Sequence, residues 1–239
     1  MPGARTIFVT GTDTGVGKTA VTGLLLAHAQ AEGINVRALK PFSTGGHEDE
    51  ALLSSLQKSS LRINFFHFPE PVSPWSAAKI HKTAVTLDGA IQPIQEHRAS
   101  CELLLVEGAG GLLTPLGERF HAADLIAELR AEVVVVAANR LGVLNHAVLT
   151  VEALRHRGVT SIRVALVDHA ESDHSSKLNR SDLMDLLAEV PVVPVPYFEK
   201  YCLEADFIRA ASKTMHTELS TLLQGKKNPP DTEAEGTFP

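Results

Sequence analysis

The sequence predicts an α/β fold, a doubly wound and mostly parallel sheet with helices on both faces. Three observations carry this expectation. Apolar, β-branched runs recur at 6–9, 36–39, 103–106, 133–137, 163–167 and 192–195. Helical patterns lie between several of them, the alternation that builds a parallel sheet with covering helices. The first run passes into the first helix through a glycine-rich turn, Gly11 to Thr19 (GTDTGVGKT).

Taken in order, the first helix is expected at about 18–32, stopping at Gly33, a favoured residue just past a helix end. Further helices are expected near 51–57, 87–98, 122–129, 147–157, 181–189 and 203–223. From Gly225 the chain reads GKKNPPDTEAEGTFP, polar and rich in proline and glycine, and is expected to be a disordered tail. That leaves 1–224 as one domain. A chain of 239 residues with 44% hydrophobic content is long enough for a single large core, and there are no internal repeats.

Composition excludes several function classes. The net charge is −6 and basic residues are scattered, which argues against nucleic acid as a partner. Cys101 and Cys202 are too few and too isolated for a disulfide framework or a CxxC metal site, and are expected to be buried thiols in a reducing compartment. No run reaches the roughly 18 apolar residues that span a bilayer, so a cytoplasmic protein without a membrane partner is expected. Eleven histidines show no HExxH or comparable spacing and read as surface or core residues.

The Gly11–Thr19 turn carries the chemistry. Gly15 and Gly17 let the backbone curl so that successive N–H groups point inward, Lys18 adds a point charge for terminal phosphates, and the Thr19 hydroxyl can complete a Mg²⁺ shell at the positive helix end. The strict eight-residue pattern wants glycine where Thr12 stands, so this loop counts from Gly11 and is one residue longer. A dinucleotide-type GxGxxG is a poorer reading, because the third glycine is missing.

Ligands of an open parallel sheet gather at the carboxyl ends of its strands. Lys40 follows the second run, Glu107-Gly108-Ala109-Gly110-Gly111 the third, Arg140-Leu141-Gly142 the fourth, and Asp168-His169 the fifth. Glu107 stands where a second carboxylate reaches a nucleotide's metal, and Lys40 is a candidate for stabilising transferred negative charge. Lys18 and Glu107 are both expected at exposed strand ends, so replacing either is expected to remove activity at little cost in folding.

With these residues in view, the blocks GTDTGVGKT, LKPFSTGG, PVSPWSAA, LLLVEGAGGLLTPL and LGVLNHAVLT together resemble the dethiobiotin synthetase family, over about 6–197. The resemblance implies a P-loop fold, a homodimer and an ATP-dependent cyclisation with Mg²⁺. In it 7,8-diaminononanoate is carboxylated by CO₂ to a carbamate, the carbamate is phosphorylated, and the second amine closes the ureido ring. It further implies that Gly15, Val16, Gly17, Lys18, Thr19 and Ala20, with Glu107, Gly108, Ala109 and Gly110, hold the nucleotide phosphates, and that Asp168, His169, Pro196 and Tyr197 surround the base. Lys18 and Lys40 would be catalytic. Thr14, Lys40, Thr44, Leu141 and Asn145 would meet the substrate, the last two from the neighbouring subunit. The metal would sit on Thr19, Glu107 and an acid of HEDEAL, either Glu50 by strict register or Asp49 one residue earlier.

Two positions depart from the family pattern: Asp168 stands where the family reads adenine with asparagine, and the 42–49 loop is short. Two other readings are open. A partition or regulatory ATPase would carry a second signature lysine in the pattern KGGxGK, where this chain has Asp13. The synthetase half of a cobyrinic-acid amidotransferase would need a glutaminase domain, for which 239 residues leave no room.

Overall fold

A computed structural model describes residues 4–57, 61–169, 173–199 and 204–224 of the protein. Six strands form one sheet: β1 (Arg5–Gly11), β2 (Val36–Leu39), β5 (Leu103–Glu107), β8 (Glu132–Ala138), β9 (Ile162–Val167) and β10 (Val192–Val195), in the order β10-β9-β8-β1-β5-β2. Every pairing in it is parallel. Such strands are covered on both faces, and β5 and β9 are accordingly buried at every position. Two small pairs stand apart: β3 (Phe42–Thr44) parallel to β4 (Phe66–Phe68), and β6 (Pro115–Gly117) antiparallel to β7 (Phe120–His121).

The helix α1 (Lys18–Ala31) is buried at nearly every residue because it is covered on all sides. It packs on β1, β2 and β5 and is itself covered by α2 (Glu48–Leu56), α8 (Ala205–Thr214) and α9 (His216–Leu223). On the other face, α4 (Leu87–Arg98) and α5 (Ala122–Leu129) pack on β5 and β1. The sheet is flanked further along by α6 (Val143–Arg155) and α7 (Asn179–Leu187), the latter following a 3₁₀ turn at His174–Lys177.

The register aligns the carboxyl ends. Val9 lies beside Glu107, Gly11 beside Val136, and Ala138 beside Val167. Because β5 lies on one side of β1 and β8 on the other, the winding reverses at β1 and a crevice opens above it.

The elements differ from the sequence expectation in a few places. Helix α2 begins at Glu48 instead of 51, since Glu48, Asp49 and Glu50 all favour the positive first turn. Helix α6 begins at Val143, directly after Gly142 in the left-handed region. The expected 203–223 helix is two, because Met215 (φ −112°, ψ 30°) leaves helical geometry and lets each half lie on α1. A short helix α3 (Pro74–Ile80), not expected, is started by Ser73, whose hydroxyl accepts from the Ser76 N–H, and by Pro74 at the first helical position. Cys101 is half-buried; Cys202 and the 225–239 tail lie outside the described residues.

Candidate active site

The loop between β1 and α1 is shaped by its glycines. Gly17 has φ 95°, a conformation side chains rarely adopt, and a Cβ on Gly11 would lie 2.8 Å from the Asp13 carbonyl and 3.1 Å from Lys18 Nζ. The Lys18 side chain therefore folds back over Gly11 and donates to the Asp13 carbonyl at 2.9 Å. Helix α1 has no side-chain cap and no acid in its first turn, so its leading N–H groups are left for an anion.

A cavity of about 580 Å³ opens above this loop. It is lined by Thr14, Gly15, Val16, Gly17, Lys18, Thr19 and Ala20 from the loop and α1, by Lys40 and Thr44 around β3, by Asp49 of α2, by Glu107, Ala109 and Gly110 after β5, and by Asp168, His169 and Tyr197. Most of the residues singled out in the sequence thus share one space. Gly108 sits behind it, its N–H bonded to the Val9 carbonyl, and Pro196 precedes Tyr197 at the exposed rim. Leu141 and Asn145 lie outside, exposed at the start of α6. Of the two metal-ligand candidates among the three acids of HEDEAL, Asp49 enters the cavity, as Glu48 also does, while Glu50 faces His47 at 3.5 Å.

At the floor, Glu107 Oε1 accepts from the Thr19 hydroxyl at 2.7 Å and from Lys40 Nζ, which also donates to Asp49 Oδ2 at 2.9 Å. Glu107 is fully buried and Lys40 is 4% exposed. The exposed strand ends expected for Lys18 and Glu107 are therefore corrected: Lys18 is 7% exposed and Glu107 0%. Glu107 cannot be removed without leaving the buried Lys40 ammonium short of a partner, whereas Lys18 donates to the neutral Asp13 carbonyl.

Burial pushes the Lys18 ammonium down from 10.5 to about 8, helped by Lys40 and opposed by Glu107 and Asp49. For Lys40 burial acts in the same direction, but Glu107 and Asp49 outweigh it and raise the amine above its ordinary value. Burial opposes ionisation of Asp49, yet Lys40, the Thr19 hydroxyl and Lys18 hold its carboxyl below its ordinary value. The floor thus brings a quartet of two amines, Lys18 and Lys40, and two acids, Asp49 and Glu107, into one buried cluster.

One atom of the quartet is unsatisfied. Glu107 Oε2 is buried and, among the described residues, has no hydrogen-bond partner. A buried carboxylate oxygen without a partner is costly, and together with the Thr19 hydroxyl and Asp49 it forms a set of hard oxygen donors of the kind Mg²⁺ takes.

Residues that the sequence reading passed over hold this floor in place. Asn64 donates to the Lys40 carbonyl and to Ser43 Oγ, both at 2.8 Å, and Ser43 Oγ lies 3.0 Å from His67 Nδ1. At the other end Asn139 donates to Asp168 Oδ1 at 3.0 Å and accepts from Asn179 at 2.9 Å. Phe198 joins the rim beside Tyr197. Asn64 carries no motif signal; Asn139 was accessible, since it directly follows β8 at the carboxyl edge.

The family model described as "AAA domain" matches residues 5–197. The chain is 39% identical over 163 residues to the ATP-dependent dethiobiotin synthetase BioD of Methanococcus vannielii, covering 67% of this chain and 77% of that one. It is 37% identical over 203 residues to the protein of the same description in Anaeromyxobacter dehalogenans, covering 81% and 90%. In Bacillus licheniformis the corresponding match is 33% over 196 residues, covering 79% and 83%. Among solved structures, the MinD cell division protein of Aquifex aeolicus aligns with a TM-score of 0.58 at 13% identity, covering 92% of this chain and 96% of that one. A ParA family ATPase of Chlorobium tepidum aligns at 0.55 and 14%, covering 91% and 98%. At such identities these two likenesses concern the fold alone.

Proposed function

Because the chain belongs to the ATP-dependent dethiobiotin synthetase family, we propose that the cavity above β1 is where its ring closure takes place. The protein is an ATP-dependent cyclo-ligase. It converts 7,8-diaminononanoate and CO₂ to dethiobiotin through a carbamate and its mixed anhydride with phosphate, releasing ADP and phosphate. The observation that carries the site assignment is the charged floor, with Glu107 taking Thr19 and Lys40 on one oxygen and holding the other without a partner, directly below an uncapped helix start.

In this reading the N–H groups from Gly15 to Thr19 take the phosphates, and Lys18 exchanges the Asp13 carbonyl for a phosphate oxygen. Thr19, Glu107 and Asp49 would hold Mg²⁺, which would supply charge neutralisation to the bound phosphates. The carbamate, an R–NH–COO⁻ group, is held near Lys40 and Thr44 with Thr14 opposite. One of its oxygens attacks the γ-phosphorus and the bond to ADP breaks, so charge moves from the carbamate to the leaving oxygen. Lys18 and Lys40 flank that path and balance it without proton transfer, which is the kind of help phosphoryl transfer requires. The second amine then attacks the anhydride carbon, the C–O bond to phosphate breaks, and the amine proton leaves with water or phosphate. Asp168, His169, Pro196 and Tyr197 would border the base.

A second copy of the chain is proposed to complete the substrate end. Leu141 is 80% exposed and Leu149 61%, on the start and outer side of α6 where Asn145 also lies. Two exposed leucines beside a helix start suit a two-fold contact, and the Leu141 N–H donates to Asp173 Oδ2 at 2.8 Å, so this start takes a carboxylate. A strictly monomeric, fully active protein in sedimentation would rule this out. With small water-soluble substrates, and no described helix long and apolar enough to cross a membrane, we place the protein in the cytoplasm.

The activity test is dethiobiotin formation by the purified protein with ATP, GTP and CTP compared. Phosphate release should require both 7,8-diaminononanoate and bicarbonate; release that is indifferent to them would favour a regulatory ATPase instead.

A further inference from the structure

At the end of α1 remote from the phosphate loop, two histidines and a glutamate converge. His28 and Glu32, one helical turn apart, lie on the same side of α1, and His216 reaches them from the first residue of α9. One ligand atom from each lies within 4.8 Å of the others. His216 Nε2 and Glu32 Oε1 are 3.4 Å apart, and His28 Nε2 is 3.1 Å from Ser220 Oγ.

The 3.4 Å separation is long for a charge-assisted hydrogen bond. It does match the edge of a tetrahedron whose centre lies about 2.0–2.1 Å from nitrogen and oxygen ligands, roughly 3.3 Å. The two imidazoles stand edge to face, with centroids 5.0 Å apart and planes at 88°, so their in-plane lone pairs can turn toward one point. His28 is 3% exposed, while burial and the neighbouring His216 hold its pKa below the ordinary value, which favours the neutral ring that binds metal. The site also sits at the negative end of the α1 dipole, where a cation is favoured.

We propose that His28, Glu32 and His216 form a binding site for a borderline divalent cation of the zinc class, with water in the fourth position, that fastens α9 to the end of α1. Two imidazoles and one carboxylate select this class over Mg²⁺ or Ca²⁺. Among the described residues a second such group exists, His47, Glu50 and His67. There the rings are stacked at 3.8 Å with planes only 15° apart, so the lone pairs run nearly parallel and do not converge.

The test uses the full chain stripped by a chelator and titrated with ZnCl₂ under saturating Mg²⁺, followed by calorimetry and thermal melting. One Zn²⁺ should bind, and at a hundredfold excess over its dissociation constant the melting temperature should rise by about 5 °C. His216→Ala and Glu32→Gln alter exposed side chains, so their metal-free melting temperatures should stay near wild type. Each should weaken Zn²⁺ binding by about tenfold or more and remove the thermal shift. His67→Ala should change neither. The proposal is overturned if wild type shows no shift, if the shift survives in both the His216 and Glu32 variants, or if it is lost in His67→Ala instead.

Discussion

The two ends of the cavity are built on different terms. At the phosphate end, Lys18, Lys40 and Glu107 are buried, their positions fixed by the ends of β1, β2 and β5 and by the first turn of α1. At the other end, Asp168 and Tyr197 are exposed and His169 half-buried, on segments that follow β9 and β10. Charges at the first end act on one another through protein, and their effects should be large and coupled. Those at the second act beside water, where a single polar contact is worth far less. On the proposed function, the chain would commit its buried charge to the chemistry common to all nucleoside triphosphates and leave base selection to its rim.

Glu107→Gln is the most severe test of this contrast. The amide keeps the shape and one acceptor but removes the charge that faces Lys40 and the orphaned oxygen. A fall of about 10³ in kcat/KM is expected, with a lower melting temperature, because Lys40 is left with Asp49 alone. A variant within tenfold of wild type would mean that this carboxylate holds structure and not ligand.

Lys40→Ala should rank next. It is expected to lower kcat by about 10²-fold while changing the ATP dissociation constant only a few-fold, since the amine is proposed to meet charge that develops during transfer. If weaker nucleotide binding is the whole defect, Lys40 serves as a phosphate clamp.

Lys18 sharpens the contrast through pH. Its ammonium titrates near 8 in the free protein, because burial and Lys40 disfavour the charge. A bound triphosphate reverses that balance and raises the value, so binding at pH 8 should take up about half a proton, and much less at pH 6, where the amine is already charged. Calorimetry in buffers of different ionisation enthalpy reads this directly. In Lys18→Arg the uptake should vanish, since guanidinium stays protonated throughout. Equal heats across buffers at pH 8 would place the Lys18 titration elsewhere.

The same division explains what the sequence made legible. The phosphate end could be read because its parts are tied to chain-local signals: a glycine turn leading into GKT, and acids or amines directly after apolar runs. The six strands could be read because parallel strands buried on both faces have uniformly apolar residues. What could not be read depends on packing between distant segments. Whether Asp49 or Glu50 enters the cavity is set by where α2 starts, and the acidic first turn begins it three residues earlier than apolar spacing alone indicates. The burial of Glu107 comes from α1 and the loop closing over β5, which no neighbouring residue announces. The break at Met215 is likewise imposed by α1, against which both halves lie. Asn64, which holds the Lys40 carbonyl, is twenty-four positions away in sequence.

The smallest effect should come from Asp168. Its Oδ1 accepts from the Asn139 amide, which is itself oriented by Asn179, so the carboxylate is held in one attitude at the rim of the cavity. A carboxylate only accepts. Toward adenine it can take the N6 amino group but gives nothing to N7. Toward guanine it can take N1–H and the N2 amino group together, and it repels O6. In Asp168→Asn the Asn139 donor should keep Oδ1 in place as an acceptor still able to take N6, while the new amide nitrogen becomes a donor for N7 and no longer takes guanine's N1–H or N2 amino group. One such exchange at an exposed rim is worth about 1.4 kcal/mol, or roughly tenfold. The kcat/KM ratio of ATP over GTP is therefore expected to rise about tenfold in the variant, with CTP little changed and the activity on ATP itself at least maintained. A wild-type preference for ATP that is already strong and stays the same in Asp168→Asn would show that this side chain does not read the base, and that the triphosphate end alone holds the nucleotide.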